Sequence, residues 1–436
     1  MKNGAPSGLE REDVRHFDPW LVPEGHALIE LASDLFSSLK PPPITPGRRH
    51  RADAMARRKA CAETLIANLA MATLEAADSR DLVVPLRKLK RSRYDRHPIT
   101  PDGVRWAADE LAACGHVEII EAVYKEQRTK LIPSLQFVSL LDKHGIKTGD
   151  VGRAAGGETI ILQAGPEHER LLIDYRDSAE AVRLHAEMSA INEALAKANI
   201  RLNGEASGPI HLTRRFDASS ATDAPSFDRH GRIYGGFWEN LPRAERHLLT
   251  IGGEPVADLD FSSMFVRLAY IRQGAEPPEG DLYAIPGLEG HRDGVKRVLS
   301  SLFFRETKAR RLPHDATSLL PVGWTMSRFR NAIVEIHPAI APLLDTDIGF
   351  ELMAAESNLL VAVLLRLISE GVVALPMHDG LMVAQSKKAL ASKAMEEVSL
   401  AKLGVSLPVT EKLILEPPKS ITKRGQSAEL LLDVTK

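Results

Sequence analysis

Residues 255–270, PVADLDFSSMFVRLAY, decide how the rest of the chain is read. The first part is an apolar run carrying Asp258 and Asp260, a strand over 256–260 that turns into an apolar helix. A carboxylate at the end of an apolar strand is costly to desolvate unless something positive meets it. Asp260 has two readings. It caps the next helix with help from Ser262 and Ser263, or it binds a divalent metal with a second carboxylate from elsewhere in the chain. Asp258 lies two residues earlier, on the same face by strand alternation, and is the alternative ligand if the register is shifted.

A second carboxylate stands in residues 371–383, GVVALPMHDGLMV. An Asp-Gly between apolar runs is a strong hairpin signal, so Asp379 sits at a tight tip next to His378. Two acidic strand positions facing each other can hold paired Mg²⁺ ions, which activate a hydroxyl and stabilise a leaving pyrophosphate in an in-line displacement. Such ions are about 4 Å apart, so carboxylates more than about 8 Å apart could not share them. Between the two acids lie Arg292, Lys296 and, eight residues further on, Phe304. Spacings of four and eight return to one helical face. Arg and Lys there could neutralise a triphosphate while the ring stacks on a base; taken alone, the same pattern describes a solvated face.

This order of strand acid, basic helix and His-Asp hairpin resembles motifs A, B and C of the family A DNA polymerases and their single-subunit RNA polymerase relatives. Motif A of that family, Asp-Tyr-Ser-x-x-Glu-x-Arg, is matched by Asp260-Phe261-Ser262-Ser263-Met264-Phe265-Val266-Arg267. Motif B, Arg-x-x-x-Lys with a later Tyr, is matched by Arg292, Lys296 and Phe304, and motif C by His378-Asp379-Gly380. Gly231-Arg232 and Asn240-Leu241 resemble elements near the primer–template. The resemblance covers roughly 228–415 and rests on five short matches in order. It implies Asp260 and Asp379 as ligands of two Mg²⁺ ions (Mn²⁺ substituting), with Lys296 and Arg292 on the incoming triphosphate and Lys296 also able to protonate the pyrophosphate. It further implies Phe304 stacking near the nascent pair, Phe265 gating the sugar, His378 near nucleic acid, and Arg232 and Arg267 contacting the nucleic-acid backbone or bracing the metal site. DNA primer–template and nucleoside triphosphates would be the partners.

Four positions depart from the family pattern. Phe265 replaces the motif A Glu, leaving a purely steric screen that favours deoxynucleotides. Phe304 keeps the stacking face of the motif B Tyr but loses its hydroxyl. Ser300 stands where the DNA polymerases place an aromatic, which weakens the nucleotide platform. Gly380 replaces the motif C acid. In the family an amide-bearing residue on the helix before motif C approaches the template, which makes Glu356 and Asn358 candidates. His314 and His337 are isolated and read as surface or core residues.

With 436 residues, 44% apolar and 26% charged, the chain has room for two or three domains. A net charge of −2 excludes a generally basic nucleic-acid binder, so any such surface is local. Cys61 and Cys114 lack metal-ligand spacing and fit a reduced, cytoplasmic setting. No apolar run reads as a membrane span; the longest, near 359–368, is interrupted by Arg366 and reads as a buried helix. There is no repeat, Gly-rich phosphate loop, zinc spacing or exonuclease carboxylate set.

The expected class is α+β: a palm-like antiparallel sheet with helical fingers, preceded by a mainly helical N-terminal region with a winged helix-turn-helix arrangement. The divisions are a polar arm (1–51), a helical nucleic-acid-binding domain (52–145), a linking region with a thumb-like or packing helix (146–227), the palm and fingers (228–418) and a tail (419–436). Arg87, Lys88, Lys90 and Arg91 tip the N-terminal domain towards nucleic acid. Arg214, Arg215 and Arg232 on a hairpin suit phosphate contact. The leading expectation is a compact DNA polymerase without proofreading, of a kind that suits a mobile genetic element. An RNA polymerase or primase, and a non-catalytic DNA-binding protein with a decayed palm, are the alternatives.

Overall fold

The structure is a computed structural model that describes residues 15–41, 52–75, 80–86, 92–123, 128–165, 171–218 and 225–414. Apolar side chains gather in two cores. The first draws on residues 21–151 and centres on the helix Ala52–Leu74, whose Leu65, Ile66, Leu69 and Ala70 are fully buried. The helices His26–Ser38 and Pro101–Ala113 pack on it. Thr100 caps the second of these, its hydroxyl accepting from the Gly103 amide at 3.1 Å ahead of Pro101. The expected ribbon follows as Val117–Ile120 and Lys130–Pro133, antiparallel, with Leu82–Val83 on the outer side of the second strand.

The polar arm expected over 1–51 is folded where it is described. Leu28, Leu31, Ala32 and Leu35 bury a helical stripe against the Ala52–Leu74 helix, and Leu21–Pro23 pairs with Val151–Arg153. The three- and four-residue spacing was present in a stretch more than half apolar, between polar flanks.

The second core runs from Ile160 to Leu407 and is shared by the expected linking region and the palm, so no division of the core falls at 227/228. The helix Ala179–Ala196 packs through Leu184, Met188, Ile191 and Leu195 into this core, the packing role rather than a thumb-like arm. The fold is α+β. The central strand Glu254–Phe261 pairs antiparallel with Gly380–Ala384 on one side and Val409–Lys412 on the other, and its start turns back onto Leu249–Ile251. Ala374–Met377 completes the hairpin with Gly380–Ala384. The Trp238 indole, fully buried, donates to the Pro376 carbonyl at 2.9 Å and fixes that hairpin from behind.

The helix Gly349–Ser369 underlies the sheet. It is long and apolar enough to cross a bilayer, yet Glu356 and Ser357 are sealed in the core, the Ser357 hydroxyl donating to the Gly231 carbonyl. The two cores are joined at Arg93. Its guanidinium lies 3.7 Å from the Tyr175 ring centre and pairs with Glu158 at 3.0 Å and Asp177 at 2.8 Å.

Candidate active site

Asp260 lies inside the central strand. The following helix, Met264–Arg272, starts at Ser263 without any side-chain cap bond, so the capping reading of Asp260 does not hold. Strand register then brings the second acid to it. Asp260 stands opposite Gly380, and the Phe261 amide donates to the Asp379 carbonyl at 3.1 Å, which locks the hairpin tip against the strand end. The hairpin tip thereby sets Asp379 beside Asp260, close enough for its charge to act on that carboxyl. Burial, and next the Asp379 charge, push the Asp260 carboxyl up to about 7, while Lys412 pulls it back. Asp260 Oδ1 is buried and has no partner among the described residues.

The backbone on both sides of this pair is unusual. His378, just before Asp379, and Ser263, just after the strand, hold φ of 52°, a left-handed conformation seldom used by residues with side chains. Gly380 has a separate reason to be glycine. A Cβ there would meet the Leu259 carbonyl oxygen at 2.2 Å and Asp260 Oδ1 at 2.9 Å. An acid at the third motif C position would collide with the carboxylate it is meant to assist.

Asp258 and Asp260 share a face and have different fates. Asp258, 3% exposed, is held by Arg246 at 2.7 Å and is sealed. Asp260 meets Lys412, whose Nζ lies 2.5 Å from Oδ2 and whose side chain is 41% exposed. Lys412 stands opposite Asp258 in register but reaches diagonally to Asp260, because Asp258 is already occupied. Asp260, not Asp258, is therefore the ligand candidate. Lys412 was not anticipated from the sequence; its only signal was a cation two residues from Thr410 on the polar face of the last expected strand.

A third carboxylate lies nearby. Glu356 is fully buried and receives Arg232 at 2.7–2.8 Å through one oxygen, while its other oxygen is unpartnered. Burial pushes its carboxyl up to about 8, with Arg232 opposing this and the charges of Asp379 and Asp260 adding to it. Arg232 also lies 5.6 Å from the Phe265 ring centre. Among the described residues no three His, Cys, Asp or Glu side chains cluster tightly enough to cage a metal. Two carboxylates with one open oxygen suit Mg²⁺ instead, an ion commonly held through one or two carboxylates and completed by substrate phosphates and water.

The basic helix Arg292–Phe303 matches expectation in extent and less so in the arrangement of its side chains. Arg292 is engaged by Asp281 through two bonds of 2.7 and 3.1 Å, over the Tyr283 ring at 5.0 Å. Asp281 in turn receives the Ser263 hydroxyl at 3.5 Å and the Tyr283 amide at 3.2 Å, which ties the helix start to the turn after the acid strand. Lys296 is exposed and has no ion-pair partner among the described residues. Ser300 lies one turn on, partly buried. Phe304, just beyond the helix end, joins an aromatic cluster with Phe265 at 5.9 Å and Phe350 at 5.2 Å, and Arg229 lies 4.9 Å from the Phe350 ring centre. Phe350, Arg229 and Asp281 were also missed; none carries a local motif.

Four residues expected near nucleic acid are engaged inside the protein, which for Arg267 and Arg232 is the bracing alternative. Arg267 is buried and donates to the carbonyls of Ser262, Pro278 and Gly280, so it braces the loop beside the site. Arg214 is fully buried, donating to the Gly231 carbonyl and to Asn358. Asn358 is thereby used internally. Arg232 is occupied by Glu356. Arg215 lies over the Tyr234 ring at 4.7 Å, and His378 packs edge-on against the same ring at 6.1 Å. Arg87, Lys88, Lys90 and Arg91 lie outside the described residues. His337 is a core residue, bonded to the Tyr270 hydroxyl and the Leu282 carbonyl.

No protein-family model matches the chain, and no curated protein matches it. Among solved structures the chain has a loose likeness to the POL domain of Pol1 from M. smegmatis, in complex with DNA primer-template and dNTP. The identity is 12% and the TM-score 0.28, covering 90% of this chain and 66% of that one. So distant a likeness does not establish kinship.

Proposed function

We propose that the protein is a template-dependent nucleotidyltransferase, a compact DNA polymerase without proofreading. One observation carries this reading: strand register brings the hairpin tip that carries Asp379 to the strand end that carries Asp260, more than a hundred residues away in sequence, and Asp260 Oδ1 is buried there without a partner among the described residues. The residues fit Mg²⁺, and Asp260 and Asp379 would hold it. When bound, the ions supply activation of the 3′-hydroxyl and neutralisation of the departing pyrophosphate.

The protein's own groups do the rest. Lys296, exposed and without an ion-pair partner among the described residues, would receive the triphosphate and give a proton to the leaving pyrophosphate. Arg292, oriented by Asp281, lies one turn before it on the same helix and adds a second charge. Phe265 and Phe304 form a wall on which the sugar and base of the incoming nucleotide would rest, and the bulk of Phe265 disfavours a 2′-hydroxyl. A cleft of about 720 Å³, lined by Lys308 and Arg310 with Ser327, Asn331 and an Arg330 already paired with Asp345 at 2.7 Å, offers two local cations for phosphates on a chain of net charge −2.

The test is extension of a labelled primer on a DNA template with Mg²⁺ and either dNTPs or rNTPs, beside Asp260→Ala and Asp379→Ala. Extension with dNTPs that both substitutions abolish supports the reading, and Phe265→Gly should then admit ribonucleotides. Extension with rNTPs alone would transfer the assignment to an RNA polymerase or primase. No extension, with DNA still bound, would leave a non-catalytic DNA-binding protein.

A further inference from the structure

We infer that Lys412 is a built-in counter-ion that occupies the carboxylate pair in the metal-free protein and must withdraw when divalent metal enters, so that it sets the metal concentration the site requires. The inference rests on the reading of Asp260 and Asp379 as metal ligands. A buried carboxylate with a second acid at the adjoining hairpin tip needs positive charge, and two neighbouring cations are taken. Arg246 is committed to Asp258 and Arg232 to Glu356. Lys412, at 2.5 Å from Asp260 Oδ2, is the cation that reaches the pair among the described residues, and it does so through Asp260.

It serves the pair incompletely. A single ammonium satisfies Oδ2 and leaves Oδ1 buried without a partner, whereas a divalent ion can bridge several oxygens. The chain also chose a side chain that can leave. Lysine is a point charge on a flexible stem, and this one is 41% exposed, so it can turn into solvent by rotation alone. The Arg246 side chain, by contrast, is 15% exposed and holds its aspartate permanently. The backbone of the strand need not move, since Lys388 pairs with the neighbouring Glu411 at 2.9 Å and the Thr410 hydroxyl reaches the Asp260 carbonyl.

The experiment is Mn²⁺ titration of the full chain without nucleotide, by calorimetry, for wild type, Lys412→Met, Lys412→Arg and Asp260→Asn, with circular dichroism to confirm folding. Lys412→Met should bind Mn²⁺ about tenfold more tightly, since no internal cation has to be displaced. Its melting temperature should be below that of wild type without metal and recover on adding Mn²⁺. Lys412→Arg, which grips a carboxylate through two bonds, should bind Mn²⁺ more weakly than wild type, and it decides the matter if the methionine variant does not fold. Unchanged or weaker affinity in Lys412→Met, or tighter affinity in Lys412→Arg, overturns the inference. Undiminished Mn²⁺ binding by Asp260→Asn would instead remove the metal site itself, so the two failures are distinguishable.

Discussion

The acid strands and the basic helix are the two halves of the proposed site, and they were built under different rules. Asp260 and Asp379 converge because antiparallel pairing leaves no freedom: once Asp260 faces Gly380 and the hairpin is two residues tight, the second carboxylate has one place to be. Arg292, Lys296 and Phe304 share a helical spacing, but a helix dictates only the direction of each Cβ. Their long side chains then answer to whatever lies nearby, so Arg292 goes to Asp281, Lys296 to solvent and Phe304 to the aromatic cluster. Strand chemistry follows from register, and helix chemistry from neighbours.

The largest expected effect lies on the acid half. Asp260→Ala or Asp379→Ala should lower kcat by on the order of 10³-fold or more, about 4 kcal/mol of barrier, with little loss of DNA affinity. Single-turnover extension and a filter-binding assay measure the two quantities separately. A comparable loss of DNA binding would mean that the acids position substrate rather than act on it.

Arg246→Ala isolates the sealed acid from the working one. It leaves Asp258 buried and unpaired, and stability should fall by about 3–5 kcal/mol, read from the midpoint of urea unfolding. A loss below about 1 kcal/mol would place Asp258 in a wetter setting than its burial indicates. On the basic half, Lys296→Ala should reduce kcat/KM for the nucleotide about 10- to 100-fold, a loss of about 1.4–2.8 kcal/mol. Asp281→Ala, which frees Arg292, should change it only about threefold. If the second substitution costs more than the first, the Asp281–Arg292 pair is the nucleotide clamp and Lys296 is the solvated residue of the face.

The smallest expected effect is in pH dependence. The Glu356 carboxyl, pushed from 4.5 up to about 8, holds its proton more tightly in the folded protein than in the unfolded chain. Its contribution is present at low pH and is lost as the pH rises through the interval between those values. Asp260, raised to about 7, adds to the same slope. Urea midpoints of the metal-free protein should therefore fall from about pH 5 to pH 8, and Glu356→Gln should flatten the fall. A midpoint that rises over that window would show the Arg232 pair overriding burial.

Much of the second core was legible residue by residue. The central strand, the hairpin, and the helices near 292–303, 326–336 and 388–403 lie within a few residues of where periodicity and turn chemistry put them. The N-terminal helix His26–Ser38, itself more than half apolar, was overlooked because the polar stretches on either side of it dominate residues 1–51. The arginines misled for a common reason: a sequence shows the charge of Arg214 and Arg267 but not whether carbonyls are waiting to receive it. In both cases the fold buries the guanidinium on backbone oxygens, a use that leaves no local signature.

What the sequence determined by itself was the local position of each aspartate, Asp260 near the end of a strand and Asp379 at a hairpin tip, because alternation and an Asp-Gly turn are local properties. Only the tertiary structure decided which cation meets each of them. Arg246, Arg232 and Lys412 are separated from their partners by 12, 124 and 152 residues. Ion pairing depends on distance and burial in space, and neither is written in sequence order.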